Sequence, residues 1–375
     1  MNAQHDNPAT MRPSRHEFHA LAAQHTVVPV WAEVLGDLET PVAAYLKLVG
    51  DGDGFLLESV EHAERWARYS FVGHDPVATL ELRDGLIEIK GQHLSADIPL
   101  DQGMLAALDA IIAAYRAPII PDLPPLQGGV MGYLGYDTIR EVEHLPHVPH
   151  DDRGFPDAVM SIIGSLAAFD HWRQRVYLIE SVPVLDMNTE AIDREYDEAC
   201  VRVQRAVDKL SQPLSSPAAE PPQLGEAAPE VRSSMADGVY QQAVEVAKEH
   251  ILAGDIFQVV LSQRYDIDLQ ADPFDFYRVL RQVNPSPYMY FLRHPDITIA
   301  GSSPEPMVKV LGRTVVSRPI AGTRRRGRTD DDDRRMAGEL KENPKEVAEH
   351  IMLVDLARND VGRVAEFGTV QVSEL

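Results

Sequence analysis

The chain has 375 residues, which at usual domain sizes is about two or three domains with cores that need no disulfide or metal to fold. Its 35 Lys and Arg residues stand against 58 Asp and Glu residues, and this net charge of −23 argues against nucleic-acid or anionic-membrane binding. A single cysteine, Cys200, excludes an internal disulfide framework and fits a reducing, cytoplasmic compartment. Neither a signal peptide nor a membrane-spanning apolar run is present in the sequence.

Composition divides the chain into four predicted segments. We predict a mobile N-terminal segment at 1–25, an α+β domain at 26–210, a linker at 211–232 and a second domain at 233–375. The first segment is polar and interrupted by proline, with no sustained period. The linker is rich in Pro, Ala, Ser and Glu, so it has too little apolar surface to offset its ordering entropy.

The domain at 26–210 is predicted to be rich in antiparallel strands. Its clearest signal is the alternating run at 78–91, in which Asp84-Gly85 provides a hairpin turn. A second hairpin is predicted around the polar residues 171–174. The other predicted elements are strands at 55–60 and 69–73, a one-sided helix from about Leu105 to Tyr115, and a second one-sided helix after Asn188.

The second domain is predicted to begin with a helix over 237–253 that ends at Gly254. Residues 255–267 then alternate in the manner of a strand, with Gln258 on its more polar face. The sequence therefore indicates an α+β protein throughout.

Two carboxylates are expected side by side on a helix that begins after Asn343. Asn343 is the predicted N-cap, Pro344 is the first helical residue, and Glu346 is placed to complete a capping box. Glu349 lies three residues later on the same face. On these residues alone the preferred interpretation is a cap residue and a solvated carboxylate. The other interpretation is a Mg²⁺ site, because Mg²⁺ takes oxygen ligands from one or two carboxylates.

Two further segments contain candidate chemistry. Glu305 follows a small-residue turn, and is interpreted either as a solvent-facing carboxylate or as a general acid whose pKa is raised by burial. The small residues Ala321, Gly322 and Thr323 could bring backbone N–H groups and a hydroxyl to an anionic small molecule. The glycine-rich run at 126–137 lacks nucleotide-binding spacings and is interpreted as tight strand packing.

Eight strings, taken in order, resemble component I of anthranilate synthase, a family of chorismate-using enzymes. They are LLESVE, RYSFVG, QGGVMGYLGYD, GDIFQVVLSQR, NPSPYMY, GSSPEP, SRPIAGTRRRG and AEHIMLVDLARND. The resemblance runs from about Phe55 to Val372. It implies an α+β fold in which helices cover large antiparallel sheets, incomplete at the C-terminus.

The resemblance also implies an activity. This family is a lyase that converts chorismate and ammonia to anthranilate and pyruvate with Mg²⁺, at the first committed step of tryptophan biosynthesis. A glutamine amidotransferase subunit delivers the ammonia. The implied roles are Mg²⁺ binding by Glu346 and Glu349, proton donation near the departing hydroxyl by Glu305, and substrate contact by Ala321, Gly322 and Thr323.

Two positions favour ammonia as the attacking group. Gln258 stands where isochorismate and salicylate synthases carry a lysine base, and a neutral amide cannot activate water as an amine can. Ala321 stands where aminodeoxychorismate synthases carry a lysine nucleophile. The candidate catalytic residues are Glu305, Thr323 and Gln258.

The family is also inhibited by tryptophan, which binds away from the reaction. The matching positions here are Glu58, Ser59, Pro287, Tyr288 and Met289. A carboxylate suits an amino group, and apolar and aromatic side chains suit an indole ring.

Members of the family continue beyond the position of Leu375 with a catalytic histidine, a substrate-binding segment and a second carboxylate pair. We therefore expect no measurable anthranilate synthase activity from the 375-residue chain alone. Two alternatives stay open: a non-catalytic chain that binds tryptophan or the partner, and an enzyme similar to aminodeoxychorismate synthase.

Overall fold

The structure is a computed structural model. It describes residues 9–59, 68–92, 94, 97–214 and 229–373. The chain forms two compact units, one made of Met1–Ser216 with Leu280–Leu375 and the other of Pro217–Val279.

Strands dominate the first unit. In chain order the strands of the described residues are β1 (Val27–Leu35), β2 (Gly54–Glu58), β3 (Tyr69–His74), β4 (Ala78–Arg83), β5 (Leu86–Gly91), β6 (Val130–Leu134), β7 (Ala158–Ile162), β8 (Ser165–Asp170), β9 (Arg175–Pro183), β10 (Arg232–Ser233), β11 (Tyr265–Asp266), β12 (Tyr288–His294), β13 (Ile297–Ser303), β14 (Lys309–Leu311) and β15 (Thr314–Val316).

The helices are distributed along the whole chain. Within the described residues they are α1 (Arg15–Ala22), α2 (Pro41–Leu48), α3 (Met104–Ala114), α4 (Thr189–Leu210), α5 (Val239–Ala253), α6 (Pro273–Val283), α7 (Asp330–Glu342) and α8 (Pro344–Gly362). A short 3₁₀ helix spans Tyr136–Glu141.

Seven strands form an antiparallel sheet in the order β1-β9-β8-β3-β2-β12-β13. Helices α1, α2 and α4 pack against it. Phe18 on α1 and Tyr45 on α2 are fully buried, and the rings of Phe18 and Tyr196 on α4 have centroids 5.2 Å apart. The apolar stripes of these helices therefore form a core on one face of the sheet.

A second sheet has the order β5-β4-β7-β6. Its core contains Leu80 on β4 together with Met104 and Ala107 on α3, all fully buried. On the edge strand β6, Met131 and Tyr133 pack against a buried cluster that belongs to the seven-stranded sheet. The two sheets of the first unit consequently share a second core.

The α+β class with antiparallel sheets and covering helices is confirmed. Both predicted hairpins form, as β4–β5 and β8–β9. At the β4–β5 turn Asp84 has φ 50° and Gly85 has φ 78°, the left-handed geometry that an Asp-Gly turn accommodates. Helix α5 ends at Gly254, which has φ 83°.

The N-terminal segment contains more structure than its composition predicts. Ser14 caps α1 and Glu17 completes a capping box. The fully buried Phe18 anchors this short helix, and the Tyr196 hydroxyl donates to the Pro13 carbonyl at 2.9 Å. A single apolar anchor is hard to recognise in a polar segment because one residue gives no period. Residues 1–8 lie outside the described residues.

The proposed domain boundaries remain a prediction. Residues 215–228 of the expected linker lie outside the described residues. Strands β12 and β13, which follow that linker, belong to the same sheet as β1–β3 because β12 pairs with β2. Within the described residues, no helix is both long and apolar enough to cross a bilayer.

Candidate functional site

Glu305 is held beside the small-residue segment that follows β15. At the end of β13 the Ser303 hydroxyl donates to the Glu305 carbonyl at 3.2 Å, which closes a local turn. The Glu305 carboxylate then accepts a hydrogen bond from the Ile320 N–H at 2.7 Å. This bond brings the turn and the segment at 320–324 together, although 15 residues separate the two partners along the chain.

Gly322 allows a second carboxylate to approach the same segment. A Cβ at Gly322 would overlap the Glu346 carboxylate and lie 3.2 Å from Leu340 Cδ1. The position therefore accepts only glycine without a rearrangement. The Arg324 guanidinium lies 3.3 Å from Glu346 Oε1, and the Glu346 side chain is only 17% exposed. Glu346 consequently contacts the predicted substrate segment directly.

The N-terminus of α8 orients this carboxylate. The Asn343 side chain accepts from the N–H groups of Lys345 at 3.0 Å and Glu346 at 3.3 Å, which confirms the predicted N-cap. The Glu346 side chain is turned towards Gly322 and Arg324. Its predicted function as the second half of a capping box is therefore replaced by contacts to the segment at 320–324.

Of the predicted catalytic residues, the structure brings Glu305 to the same segment as Gly322 and Glu346. Glu305 is exposed, so the burial expected for a general acid at this position is wrong. Glu305, Gly322 and Glu346 meet around 320–324, and we name these residues with Glu349 the carboxylate cluster. Glu349 follows Glu346 by three residues on α8, so the two side chains share a helix face. Thr323 is exposed, and its carbonyl accepts from Arg324 at 2.8 Å.

Gln258 lies in the second unit and is exposed. The strand predicted over 255–267 is wrong for most of its length, since only Tyr265–Asp266 forms a strand, β11. A strand requires a hydrogen-bonding neighbour, and in the described residues β11 pairs only with the two residues of β10. Phe257 is 91% exposed in consequence. The catalytic function of Gln258 stays a prediction.

The residues expected to bind tryptophan meet at one end of the seven-stranded sheet. Glu58 on β2 and Met289 on β12 are cross-strand partners, and both are buried. Ser59 continues β2, and its hydroxyl oxygen is buried. Pro287 is half-buried and the adjacent Tyr288 is 38% exposed. The set therefore combines a buried carboxylate, a buried hydroxyl, a buried thioether and a partly accessible ring.

The sequence analysis did not identify Arg281, whose guanidinium contacts Glu58 in this group of residues. Arg281, near the end of α6, forms two contacts with Glu58: Nε to Oε2 at 2.7 Å and Nη2 to Oε1 at 2.8 Å. The pair is separated by 223 residues in sequence. The contact depends on how the end of α6 lies against β2, and no local pattern around Arg281 indicates it.

A second ion pair lies at the neighbouring strand ends. The Arg68 guanidinium binds the buried Asp170 carboxylate at 2.6 Å and stacks over the rings of Tyr69 and Trp172. Burial alone would raise the pKa of Asp170. Hydrogen bonds from Arg68 and from the N–H groups of the following loop outweigh it and hold this pKa below its ordinary value. Asp170 is therefore ionised at neutral pH.

His171 lies beside the same strand ends. Burial lowers the pKa of His171, so the imidazole is neutral at pH 7. Its Nε2 is 2.8 Å from the Ser70 hydroxyl. The sequence analysis placed His171 in a polar turn, and residues 171–174 are exposed in the structure, as that prediction implies.

A separate group of three side chains contains the kinds of donor atom that bind metal ions. Glu81, His294 and Asp296 offer ligand atoms within 4.8 Å of one another. Glu81 Oε1 is 2.5 Å from the Lys90 ammonium, and Asp296 Oδ2 is 2.5 Å from the Arg83 guanidinium. These two cations already neutralise the carboxylates. An ion would have to displace them, so the group stands in this structure as an ion-pair network.

Comparisons with known proteins all point to one family of enzymes. Residues 56–375 match the sequence profile of the family described as chorismate binding enzyme. The "Anthranilate synthase component 1" of Mycobacterium tuberculosis (strain H37Rv) is 42% identical over 371 residues, covering 96% of this chain and 71% of that protein. The similarity therefore extends over nearly the whole length of this chain.

Solved structures agree with this. The crystal structure of anthranilate synthase component I from Streptococcus pneumoniae has a TM-score of 0.67 and 30% identity, covering 91% of this chain and 71% of that one. The menaquinone-specific isochorismate synthase of Escherichia coli has a TM-score of 0.56 at 12% identity. At this low identity the similarity is evidence for a common fold and for nothing more. The chain therefore belongs to the chorismate-binding enzymes, in the group of anthranilate synthase component 1.

Proposed function

We propose that this protein is the large subunit of an anthranilate synthase, which converts chorismate and ammonia to anthranilate and pyruvate. The observation that supports this activity is the meeting of Glu305, Gly322 and Glu346 around one segment of small residues. An acid, an open backbone and a half-buried carboxylate are the groups that elimination of a hydroxyl from an anionic substrate requires. Tryptophan biosynthesis in the cytoplasm follows as part of the proposal.

Mg²⁺ fits the carboxylate cluster. Glu346 and Glu349 would hold it, since they are oxygen donors on one helix face. The 3.3 Å separation of Arg324 and Glu346 is longer than the 2.7–2.9 Å of a strong charge-assisted hydrogen bond, so this contact is readily exchanged for another cation. When bound, Mg²⁺ supplies Lewis-acid stabilisation of negative charge on the substrate.

Glu305 is the proposed proton donor. The Ile320 N–H occupies its Oε1, so a transferable proton would be carried by Oε2. Thr323 offers a hydroxyl, and Gly322 and Ala321 offer an unobstructed backbone, to the substrate carboxylates. Gln258 carries a neutral amide that cannot activate water, which leaves ammonia as the nucleophile.

Local charge is needed at this site because the whole chain repels anions. The formal net charge is −23, and chorismate is a dianion. Arg324 and the bound cation would provide the attraction that the overall field does not. Substrate affinity is therefore proposed to depend on Mg²⁺.

Regulation and partnership complete the proposal. A glutamine amidotransferase subunit would deliver ammonia. Tryptophan would bind among Glu58, Ser59, Pro287, Tyr288 and Met289 and inhibit the reaction. In this arrangement residues 26–210 form a regulatory half, and residues 233–375 belong to a chorismate-binding domain.

The activity is tested with the protein expressed from its complete reading frame, including any codons that follow Leu375. Purified protein is given chorismate, ammonium and Mg²⁺, and the product is identified by chromatography and fluorescence. We expect anthranilate and pyruvate in equal amounts. A 4-amino product would instead favour aminodeoxychorismate synthesis, and isochorismate would favour water as the nucleophile.

The metal assignment is tested by replacing one ligand. Glu346→Gln keeps the side-chain shape but removes a charge, so the Mg²⁺ concentration for half-maximal activity should rise about tenfold or more. Glu342→Gln, an exposed change at the end of α7, is the matched control and should leave that concentration unchanged. An unaltered Mg²⁺ dependence in Glu346→Gln would rule out Glu346 as a ligand.

A further inference from the structure

The two oxygens of the Glu346 carboxylate have different surroundings. Oε2 lies where a Cβ at Gly322 would be, so it packs against the backbone of the segment at 320–324. Oε1 accepts hydrogen bonds from Nη1 and Nη2 of Arg324, each at 3.3 Å. The Glu346 side chain is 17% exposed, and the Arg324 side chain is 34% exposed. Oε1 is therefore the oxygen that faces a cation in this structure.

The form of this ion pair makes it weak. In the strongest arrangement of these groups, two guanidinium nitrogens each meet a different carboxylate oxygen at about 2.7–2.9 Å. Arg324 instead directs both terminal nitrogens to one oxygen, at a longer distance. The pair of Arg68 and Asp170 shows the contrast, since Nη2 of Arg68 is 2.6 Å from an oxygen of a carboxylate that is only 2% exposed. Arg324 is consequently easier to separate from Glu346.

Arg324 also has a second partner, which is not a carboxylate. Its Nη1 donates to the Thr323 carbonyl at 2.8 Å, a shorter contact than either of those to Glu346. Loss of the carboxylate would therefore leave the guanidinium hydrogen-bonded to the backbone and partly hydrated. Separation from Glu346 does not leave an unpaired cation buried, which is the main cost of breaking an ion pair on the side of the arginine.

Glu346, by contrast, needs a cation. Its side chain is mostly buried, and Glu349, half-buried on the same helix face, places a second carboxylate beside it. Two neighbouring carboxylates in a partly buried place repel one another unless a positive charge compensates them. A guanidinium and a divalent cation can each supply that charge. Both at Oε1 together would repel one another, because water screens charges poorly there.

We propose that the Arg324 guanidinium and a divalent cation are alternative partners of Glu346 Oε1. Arg324 therefore competes with the metal and sets the metal concentration at which the carboxylate cluster is filled. This inference rests on the proposed Mg²⁺ site and adds to it the residue that limits its affinity. The opposing role for Arg324 is that of a positioning residue, which would orient Glu346 for the metal. The two roles predict opposite effects when the charge of Arg324 is removed.

The test measures metal affinity directly, without substrate. The probe is Mn²⁺, whose free concentration is followed by its electron paramagnetic resonance signal, and Mg²⁺ is then used to displace it. The protein is expressed from its complete reading frame, including any codons that follow Leu375. Arg324→Gln removes the charge and keeps an amide that can donate a hydrogen bond. We expect this variant to bind Mn²⁺ about threefold to tenfold more tightly than wild type, because a partly exposed ion pair no longer has to be broken.

Two further variants show whether the effect belongs to this contact. Arg325→Gln removes the same charge from the adjacent exposed position and should change the affinity less than about twofold, through the general electrostatic field alone. In a Glu346→Gln background, Arg324→Gln should tighten binding no more than Arg325→Gln does, since the shared partner has lost its charge. Circular dichroism establishes that each variant is folded.

A measurement on wild-type protein requires no variant. Phenylglyoxal modifies accessible guanidinium groups, and tandem mass spectrometry locates the modified residues. Saturating Mn²⁺ should raise the rate of modification at Arg324 about threefold or more, because the metal releases Arg324 from Glu346. The rate at Arg325 should stay unchanged. An unchanged or lowered rate at Arg324 would overturn the inference, even if Arg324→Gln failed to fold.

The outcomes also separate this inference from the proposed metal site. If Glu346→Gln leaves the Mn²⁺ affinity unchanged, the cation does not bind Glu346, and both proposals are wrong. If Glu346→Gln weakens Mn²⁺ binding while Arg324→Gln weakens it or leaves it unchanged, the metal site stands and the competition is wrong. Equal tightening by Arg325→Gln and Arg324→Gln would also count against the competition, since it would show a field effect rather than a shared oxygen.

Discussion

Asp170 illustrates how a single buried charge is stabilised in this protein. Its side chain is 2% exposed and accepts hydrogen bonds from the Arg68 guanidinium and from the N–H groups of Trp172 and Arg173. Burial favours the neutral acid, and the donors favour the carboxylate. The donors prevail, because the pKa lies below its ordinary value. The ionised form of Asp170 therefore contributes to the stability of the fold.

Replacement of Asp170 should show this contribution through its pH dependence. A carboxylate with a lowered pKa in the folded state stabilises the protein above the pKa of the unfolded chain, about 4, and that contribution is lost as the pH falls through the folded-state pKa. Asp170→Asn should reduce the free energy of unfolding at pH 7 by about 2 kcal/mol. The difference from wild type should shrink as the pH falls below about 4.

Urea unfolding at several pH values measures this difference. Asp268→Asn is the control, since Asp268 pairs with Arg232 at an exposed position and its removal should have little effect. A destabilisation by Asp170→Asn that stayed constant down to the acid limit would show that the charge of Asp170 is unimportant.

The strand β6 shows what an element requires beyond its residue preferences. The glycine-rich run was interpreted as tight packing, and the structure confirms it: a Cβ at Gly132 would overlap the Val159 carbonyl and lie 2.8 Å from Met160 Cα. Gly135 is similarly close, with the Asp157 carbonyl oxygen 2.7 Å from its Cβ position. These glycines allow β6 to approach β7 and close the second sheet.

Gly132→Ala should therefore lower the free energy of unfolding by about 1–3 kcal/mol, as overpacking does. Differential scanning calorimetry measures the effect. Gly338→Ala is the matched control, because a Cβ at Gly338 on α7 meets nothing within 4 Å and alanine favours helices. A variant Gly132→Ala as stable as wild type would mean that β6 can shift away from β7 at no cost.

At the scale of the first unit, an ion-pair network joins the two sheets. Glu81 on β4 is buried and contacts the Lys90 ammonium on β5 and the His294 ring at the end of β12, at 2.5 and 3.2 Å. Glu81 raises the pKa of Lys90 through their hydrogen bond. Arg83 extends the network to Asp296 in the turn after β12. One carboxylate thus links the four-stranded sheet to a strand of the seven-stranded sheet.

Glu81→Gln should destabilise the protein by about 2–3 kcal/mol, less than for a fully buried pair, because Lys90 and Arg83 are partly hydrated. Chemical denaturation measures this value. Glu88→Gln is the control, since Glu88 is the exposed cross-strand neighbour of Glu81. Equal stabilities of the two variants would exclude an energetic contribution from the network.

The sequence identified the candidate site in part. Glu305, Gly322 and Glu346 were found because each belongs to a local pattern, a turn, a small-residue patch or an N-cap, and also to a recognisable string. Arg281 was missed because its partner Glu58 is far away in sequence and no local pattern marks such a contact. The strand around Gln258 was predicted from alternation alone, which does not specify whether a neighbouring strand is available.

By itself the sequence determined the α+β class, the hairpins, the helix caps at Asn188, Asn343 and Gly254, and the family, because turn residues, caps and hydrophobic periods act over a few positions. Only the tertiary structure decided that β12 lies beside β2, that Gly322 receives the Glu346 carboxylate, and that Arg281 reaches Glu58. Such contacts depend on strand order and register, and those are fixed by the packing of whole sheets.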